Sequence, residues 1–517
     1  MLRNVILIFA LAAMLHSQSF AQETKKTVCF DAVCLSEVAN KLKSADKTTV
    51  AEAESTLAEL ANEAGRTHNR RQIEALKDII IPYVLEHDNG SNTAYMMSLL
   101  SKFCLTRDIQ EIMKMGSDER LADYAIRTVG EIKGSEEFIR SYIENNKSDL
   151  KYKGALAYAV GQQNMSDMEN ELISWQKGAD DKTLADIYNA LLIIGSNDKT
   201  TAIVNKGAKR LTKSKIPECQ IAGLRLLVAL HGEKALPYLY KALKNDNRNV
   251  RVEALNLMKP YANQDVCNNV VKKCKTEPAL ADAITWLGEL KNDSFMELII
   301  TQLSSKNPEL VEASIRAIFK IDNADGINAV KPMFGGDYQP VIKESMIAYE
   351  GDYVSVLNAV ARGNNNQKLA ALEIIECRPV LNMHNRVREM LSSDNPDIRD
   401  KAYSVLKLVV ISSHTSFLMG VLEYCDDKYV KDVQLAIKVA SENMPDVKKD
   451  EFASTLKHVK PFMMPRYYKV FAYFGTELCV DKLIDAYKNG PDSFEAKEAL
   501  LLVNNEKLAE KIHEALK

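Results

Sequence analysis

Apolar residues return every three to four positions along most of this chain, and short polar stretches interrupt each run after two or three helical turns. The clearest instance is 236–258. Leu236, Leu239 and Leu243 line one face of a first helix, with Pro237 in its opening turn, where the missing N–H costs nothing. Asn245-Asp246-Asn247-Arg248 breaks the pattern with residues that favour turns. Asn249 is the expected N-cap of a second helix carrying Val250, Ala254 and Leu257 on its apolar face. Neither helix is long enough to hold in water alone, so the pair must bury its stripes against something, and another copy of itself is the natural partner.

Copies are present. Leu303 leads through Asn307-Pro308 to Leu310 and Ala313, and Leu391 leads through Asn395-Pro396 to Ile398 and Ala402. An aliphatic residue follows the leucine by seven positions in all three, and a small alanine comes three or four residues later. That small residue, where second helices are expected to approach, can be followed through Ala94, Ala125, Ala157, Tyr188, Ala222, Ala254, Ala283, Ala313, Ser345, Ala371, Ala402, Ala436, Tyr468 and Ala499. The spacing averages about 31 residues.

The pattern predicts an all-α chain, an α-solenoid of antiparallel helix pairs. Residues 91–517 form the array, with about 12–14 units. Residues 22–90 form a polar segment and a helical cap, with long helices over 49–64 and 70–87 split by a turn at Gly65-Arg66-Thr67-His68-Asn69. An array needs such a cap to cover its first open face. Gly-rich stretches at 334–337 and 362–366 are read as loops between helices.

The residues Pro237, Leu243, Asn249-Val250-Arg251 and Ala254, with 308–313 and Pro396-Asp397-Ile398-Arg399 to Ala402, resemble the HEAT-repeat family, in its short phycobilisome-lyase-type form. The resemblance implies a stack of helix pairs with a concave groove lined by the second helices. It also implies that the turn arginine pairs with an acid of the neighbouring unit. It covers the repeats only and implies no chromophore chemistry.

Composition changes little. With 46% hydrophobic and 26% charged residues the 517-residue chain is neither disordered nor basic, and a net charge of −3 argues against nucleic acid as a partner. The N-terminus adds more. Arg3, the apolar run Val5 to Leu15 and Ser19-Phe20-Ala21 ahead of Gln22 read as a signal peptide over residues 1–21. The alternative, a membrane anchor, meets an apolar run that is short for a span. The mature chain is therefore expected to be exported, periplasmic in a bacterium and otherwise secreted, with no stable membrane insertion after cleavage. Cys29 and Cys34 flank Phe30-Asp31-Ala32-Val33, and a local disulfide between them is one expectation for an oxidising compartment. The seven cysteines from Cys104 onward sit in apolar helical stretches and are read as small hydrophobes.

A search for chemistry finds no HExxH, no GxSxG elbow, no Walker loop and no GxGxxG after a strand, and the eight histidines are scattered singly. Asp180-Asp181 and Asp426-Asp427 are read as solvated turn acids. No catalytic residue, metal site or cofactor is expected. One stretch stands apart: 461–474 holds Phe462, Tyr467, Tyr468, Phe471, Tyr473 and Phe474. Arg466, Tyr467, Tyr468 and Phe471 are its candidate partner-binding residues, since exposed aromatics beside an arginine make interface anchors. The alternative is that these rings fill the core near the C-terminal end. The functional expectation is a non-catalytic scaffold, a monomer or weak dimer, that binds a protein or peptide partner. The alternative is an accessory subunit of a carbohydrate-active or other hydrolytic system carried on a separate chain.

Overall fold

The computed structural model describes residues 30, 32–44, 46–86, 90–195, 197–456 and 459–517. The expected signal peptide and Cys29 lie outside the described residues. Those described are helical, without a strand, and they fall into two compact units, Met1–Lys273 and Cys274–Lys517.

The first unit opens with Ala32–Leu42, Lys47–Thr67 and Arg70–Glu86. The last two are the long helices expected at 49–64 and 70–87, but the break between them differs. Gly65 is still helical. A β-carbon there would lie 2.1 Å from the carbonyl oxygen of Lys102, so the glycine serves close packing rather than a turn. The helix ends three residues later at His68, whose backbone is left-handed at φ 51° and whose N–H donates to Ala64 O at 2.9 Å. The buried Lys77 ties the cap to the array: its Nζ stands 3.1 Å from the buried Asp108 carboxylate, 2.5 Å from Glu111 and 3.2 Å from Glu74. Burial works against this charge, but the three carboxylates hold its pKa above the ordinary lysine value.

Beyond the cap, second helices stack in order. Gly90–Phe103, Ala122–Glu131, Lys153–Gln162, Asp181–Ile194, Pro217–His231 and Arg248–Met258 each pack on the next. In the second unit the series is Glu277–Glu289, Pro308–Ile321, Gln339–Ala348, Asn365–Cys377, Pro396–Val405, Val430–Ser441, Pro465–Phe474 and Ser493–Leu501. A shorter first helix packs on most of them, as Leu236–Ala242 does on Arg248–Met258. This is an all-α solenoid.

The small residues sit where the stacking is tightest. Ala125, Ala157, Ala254, Ala283, Ala371, Ala402, Ala436 and Ala499 are fully buried. At the expected Ala222 the close approach belongs to its neighbour Gly223, where a β-carbon would meet Thr212 N at 2.7 Å and Ala208 O at 2.8 Å. Tyr188 breaks the small-residue rule by lying on a glycine: a β-carbon on Gly207 would stand 2.2 Å from its ring. Three glycines lie directly on the alanine 29 residues ahead. A β-carbon on Gly130 would be 2.6 Å from Ala159 Cα, on Gly161 3.1 Å from Ala190 Cα, and on Gly288 2.8 Å from Ala317 Cα.

Turn chemistry repeats as well, shifted from expectation by two residues. Asn247, not Asn249, caps the second helix of 236–258, accepting from the N–H groups of Asn249 and Val250 at 2.9 and 3.3 Å. Asn307 and Asn395 do the same in their units. The arginine of the motif turns back onto its own turn: Arg251 donates to the carbonyls of Asn245 and Asp246 at 2.9 Å each, and Arg399 to Ser393 O at 2.8 Å. Arg399 reaches the next unit through the hydroxyl of Tyr429 at 3.1 Å, in place of the expected acid. That hydroxyl donates in turn to Asp400. Carbonyls left open at the end of a first helix need donors, and a planar guanidinium supplies them to the turn and its neighbour together.

Six of the seven later cysteines are buried, and burial pushes the Cys104 thiol up to about 12 and the Cys479 thiol up to about 11. Cys377 departs from expectation and is exposed, as the last residue of its helix. No helix among the described residues is long and apolar enough to cross a membrane.

The stacking rule is testable at two glycines. Gly288→Ala is expected to destabilise by about 1 kcal/mol or more, because overpacking outweighs the gain in helix propensity. Gly420→Ala, in helix Thr415–Tyr424, meets nothing within 4 Å and is expected to stabilise by about 0.5–1 kcal/mol. Urea titrations showing the same sign for both would contradict the packing described.

Candidate partner-binding groove

Two neighbouring first helices of the second unit, His384–Met390 and Thr415–Tyr424, frame the site together with the second helix Pro396–Val405. Where these first helices begin, the imidazoles of His384 and His414 stack at 3.5 Å between centroids and 5° between planes. His384 is buried and its Nδ1 has no hydrogen-bond partner. The N–H of Ile411 donates to His414 Nδ1 at 3.2 Å, which places the proton of a neutral His414 on Nε2. Phe417 meets the His384 ring edge-on at 5.7 Å, and the Arg388 guanidinium lies 4.2 Å over the other ring of that contact, Phe417.

Past this stacked end a cavity of about 570 Å³ opens, lined by Arg388, Leu391, Ser392, Tyr403, Ser416, Phe417, Gly420, Val421, Tyr424 and Cys425. Tyr424 stands 81% exposed at its edge. Tyr403 is buried and stacks on Tyr429 at 3.8 Å. Gly420 leaves the gap itself, since a β-carbon there would touch nothing. Burial pushes the Tyr403 hydroxyl up to about 12 and raises the Cys425 thiol, so both stay protonated near neutral pH. In the first unit a smaller cavity of about 270 Å³ lies under the motif at 236–258, lined by Thr212, Gln220, Tyr238, Lys241 and Lys244 among others. Among the described residues, no three His, Cys, Asp or Glu side chains come together as metal ligands.

The aromatic stretch 461–474 supports this groove from behind. Tyr467, Tyr468 and Phe471 are buried, which leaves them no face to offer a partner. Arg466 donates to the carbonyls of Leu422, Glu423 and Cys425 at 3.1, 3.4 and 2.7 Å, closing the end of helix Thr415–Tyr424, and pairs with Asp427 at 2.6 Å. The Tyr467 hydroxyl donates to Met419 O in the same helix at 3.0 Å. Two of the four candidates thus position the groove wall, and none lines the cavity. The exposed ring of the aromatic stretch is Phe462, at 70%. Of Cys29 and Cys34, only Cys34 falls among the described residues, half-buried in Ala32–Leu42.

Sequence reasoning missed Arg388, Phe417 and Tyr424. Phe417 and Tyr424 are seven residues apart on one helix, a spacing that does not by itself separate a groove wall from a core stripe. The cavity also lies mainly between first helices, whereas the resemblance implied a groove lined by second ones.

No protein-family model matches this sequence, and no curated protein does. Solved structures do. Yeast importin-β (Kap95p) aligns over 94% of this chain and 79% of its own at 12% identity, with a TM-score of 0.39. Kap121p aligns over 94% and 54% at 10% identity and a TM-score of 0.41. UNC-45 from Drosophila melanogaster aligns over 94% and 89% at 11% identity and a TM-score of 0.25. Likenesses this distant bear no weight for function, and the solenoid is read from the helix packing itself.

The histidine pair gives a pH dependence. Burial, with His414 and then Arg388 adding repulsion, pulls the His384 pKa down to about 4, against about 6.5 in an unfolded chain. Well above pH 6.5 both states are neutral and nothing is lost. As pH falls from there toward 4, the unfolded chain takes up a proton that the folded one refuses, and stability drops. The expected loss from this group between pH 7 and pH 5 is about 2 kcal/mol. His384→Phe should lose correspondingly less across the same interval. Equal losses in urea titrations of the two proteins would refute the assignment.

Proposed function

We propose that this chain is a non-catalytic scaffold for a protein or peptide partner, and that the groove between His384–Met390 and Thr415–Tyr424 is its docking site. One observation carries the reading: an open cavity of about 570 Å³ edged by an exposed tyrosine, a phenylalanine and an exposed arginine. Aromatic and arginine side chains dominate binding energy at interfaces, and the volume suits an inserted side chain with its backbone. The groove's own thiol and buried phenol are held protonated, which fits binding better than nucleophilic catalysis. With a signal peptide over residues 1–21, the scaffold would act after export, in a periplasm or outside the cell, as a monomer or weak dimer.

Tyr424→Ala tests the site. The residue is 81% exposed, so folding stability should change by less than about 0.5 kcal/mol. Retention of the cognate partner should fall about tenfold or more, as for an interface anchor. A photo-crosslinking residue at 424 should capture a partner that the same residue at the exposed Val447, on Asp446–Thr455, does not. Identical capture at both positions would refute the assignment.

A further inference from the structure

We infer that the groove takes a partner segment in which an acidic side chain neighbours a large apolar one, the carboxylate pairing with Arg388 and the apolar group entering beside Gly420. This rests on the groove being the docking site and adds the chemistry of the occupant.

Arg388 carries most of the argument. Its guanidinium is exposed, stacked at 4.2 Å on Phe417, and without a carboxylate partner among the described residues. Its neighbours in the array are all engaged. Arg386 holds Glu389 at 2.6 Å, Arg399 holds Ser393 O and the Tyr429 hydroxyl, and Arg466 holds Asp427. The nearest glutamate in sequence to Arg388, Glu389, is therefore already taken. Stacking on an aromatic face orients a guanidinium while leaving its N–H edge free, and that edge matches a carboxylate in two parallel hydrogen bonds. A cation fixed in this way also rejects basic segments.

The rest of the wall selects the second group. Leu391, Phe417, Val421 and Tyr424 are apolar or amphipathic, and the void beside Gly420 has no side chain of its own to fill it. Ser392 and Ser416 add neutral hydroxyls able to meet a peptide backbone. An acid followed or preceded closely by a phenylalanine, leucine or similar residue satisfies both requirements.

The experiment is selection of random dodecapeptides displayed on phage against the immobilised full chain and, in parallel, against Arg388→Gln and Gly420→Leu. Both positions are exposed, and thermal melts confirm that the variants fold. Peptides enriched on the wild type should carry Glu or Asp within two residues of a large apolar side chain. Replacing that acid by its amide, or using Arg388→Gln, should weaken binding at least about tenfold, the worth of a charged hydrogen bond. Making both changes should cost little beyond either alone. Gly420→Leu should weaken every selected peptide. If the selected peptides lack an acid or ignore Arg388→Gln while Gly420→Leu still blocks them, the inference fails and the groove reading survives. If nothing is enriched, or Gly420→Leu changes nothing, both fail. A wild-type dimer that Gly420→Leu converts to monomer in sedimentation would show the groove filled by a second copy and would equally overturn the inference.

Discussion

Everything in this chain depends on how closely one second helix can approach the next. Where Gly130 lies on Ala159, Gly161 on Ala190 and Gly288 on Ala317, helix backbones meet with no more than an alanine methyl between them. At that separation short helices, marginal alone, bury their stripes on both neighbours at once. The fully buried alanines at 125, 157, 254, 283, 371, 402, 436 and 499 extend the same constraint through both units. Among the described residues there is no strand, so the packing of helix on helix sets the spacing.

Turn chemistry serves that stacking. Asn247, Asn307 and Asn395 start the second helix at the same place relative to the preceding leucine, and Arg251 and Arg399 fold back to satisfy turn carbonyls. Arg466 uses the same guanidinium chemistry differently, reaching three carbonyls at the end of a helix some forty residues earlier in the chain. That contact supports the wall of a cavity instead of closing a repeat. The groove and the solenoid are thus built by one device, a cation placed on open carbonyls, applied in two geometries.

The groove exists because repetition lapses. His384 and His414 hold two first helices together at one end, and beyond them Gly420 provides no side chain to fill the gap. What remains is an exposed Tyr424, a Phe417 ring and an Arg388 with no acid of its own among the described residues. Together they line the open space that the missing side chain leaves.

The hydrophobic period by itself determined the all-α class, the helix-pair unit and the position of most small residues, because a helix can bury a face only if its apolar residues recur on it. It located the turns to within two residues, as with Asn247 for Asn249, since propensity marks a turn without saying which residue adopts the capping backbone. It misread Gly65 as a turn, and it left the rings of 461–474 open between a partner surface and the core. Glycine and aromatic residues each have two uses, and composition cannot tell them apart. Only the tertiary structure decided between them, by bringing Lys102 against Gly65 and helix Thr415–Tyr424 against Arg466 and Tyr467. Arg388, Phe417, Gly420 and Tyr424 were likewise invisible as a group, because the sequence fits each one to an ordinary helix. They become a site only where two helices more than twenty residues apart in the chain leave a space between them.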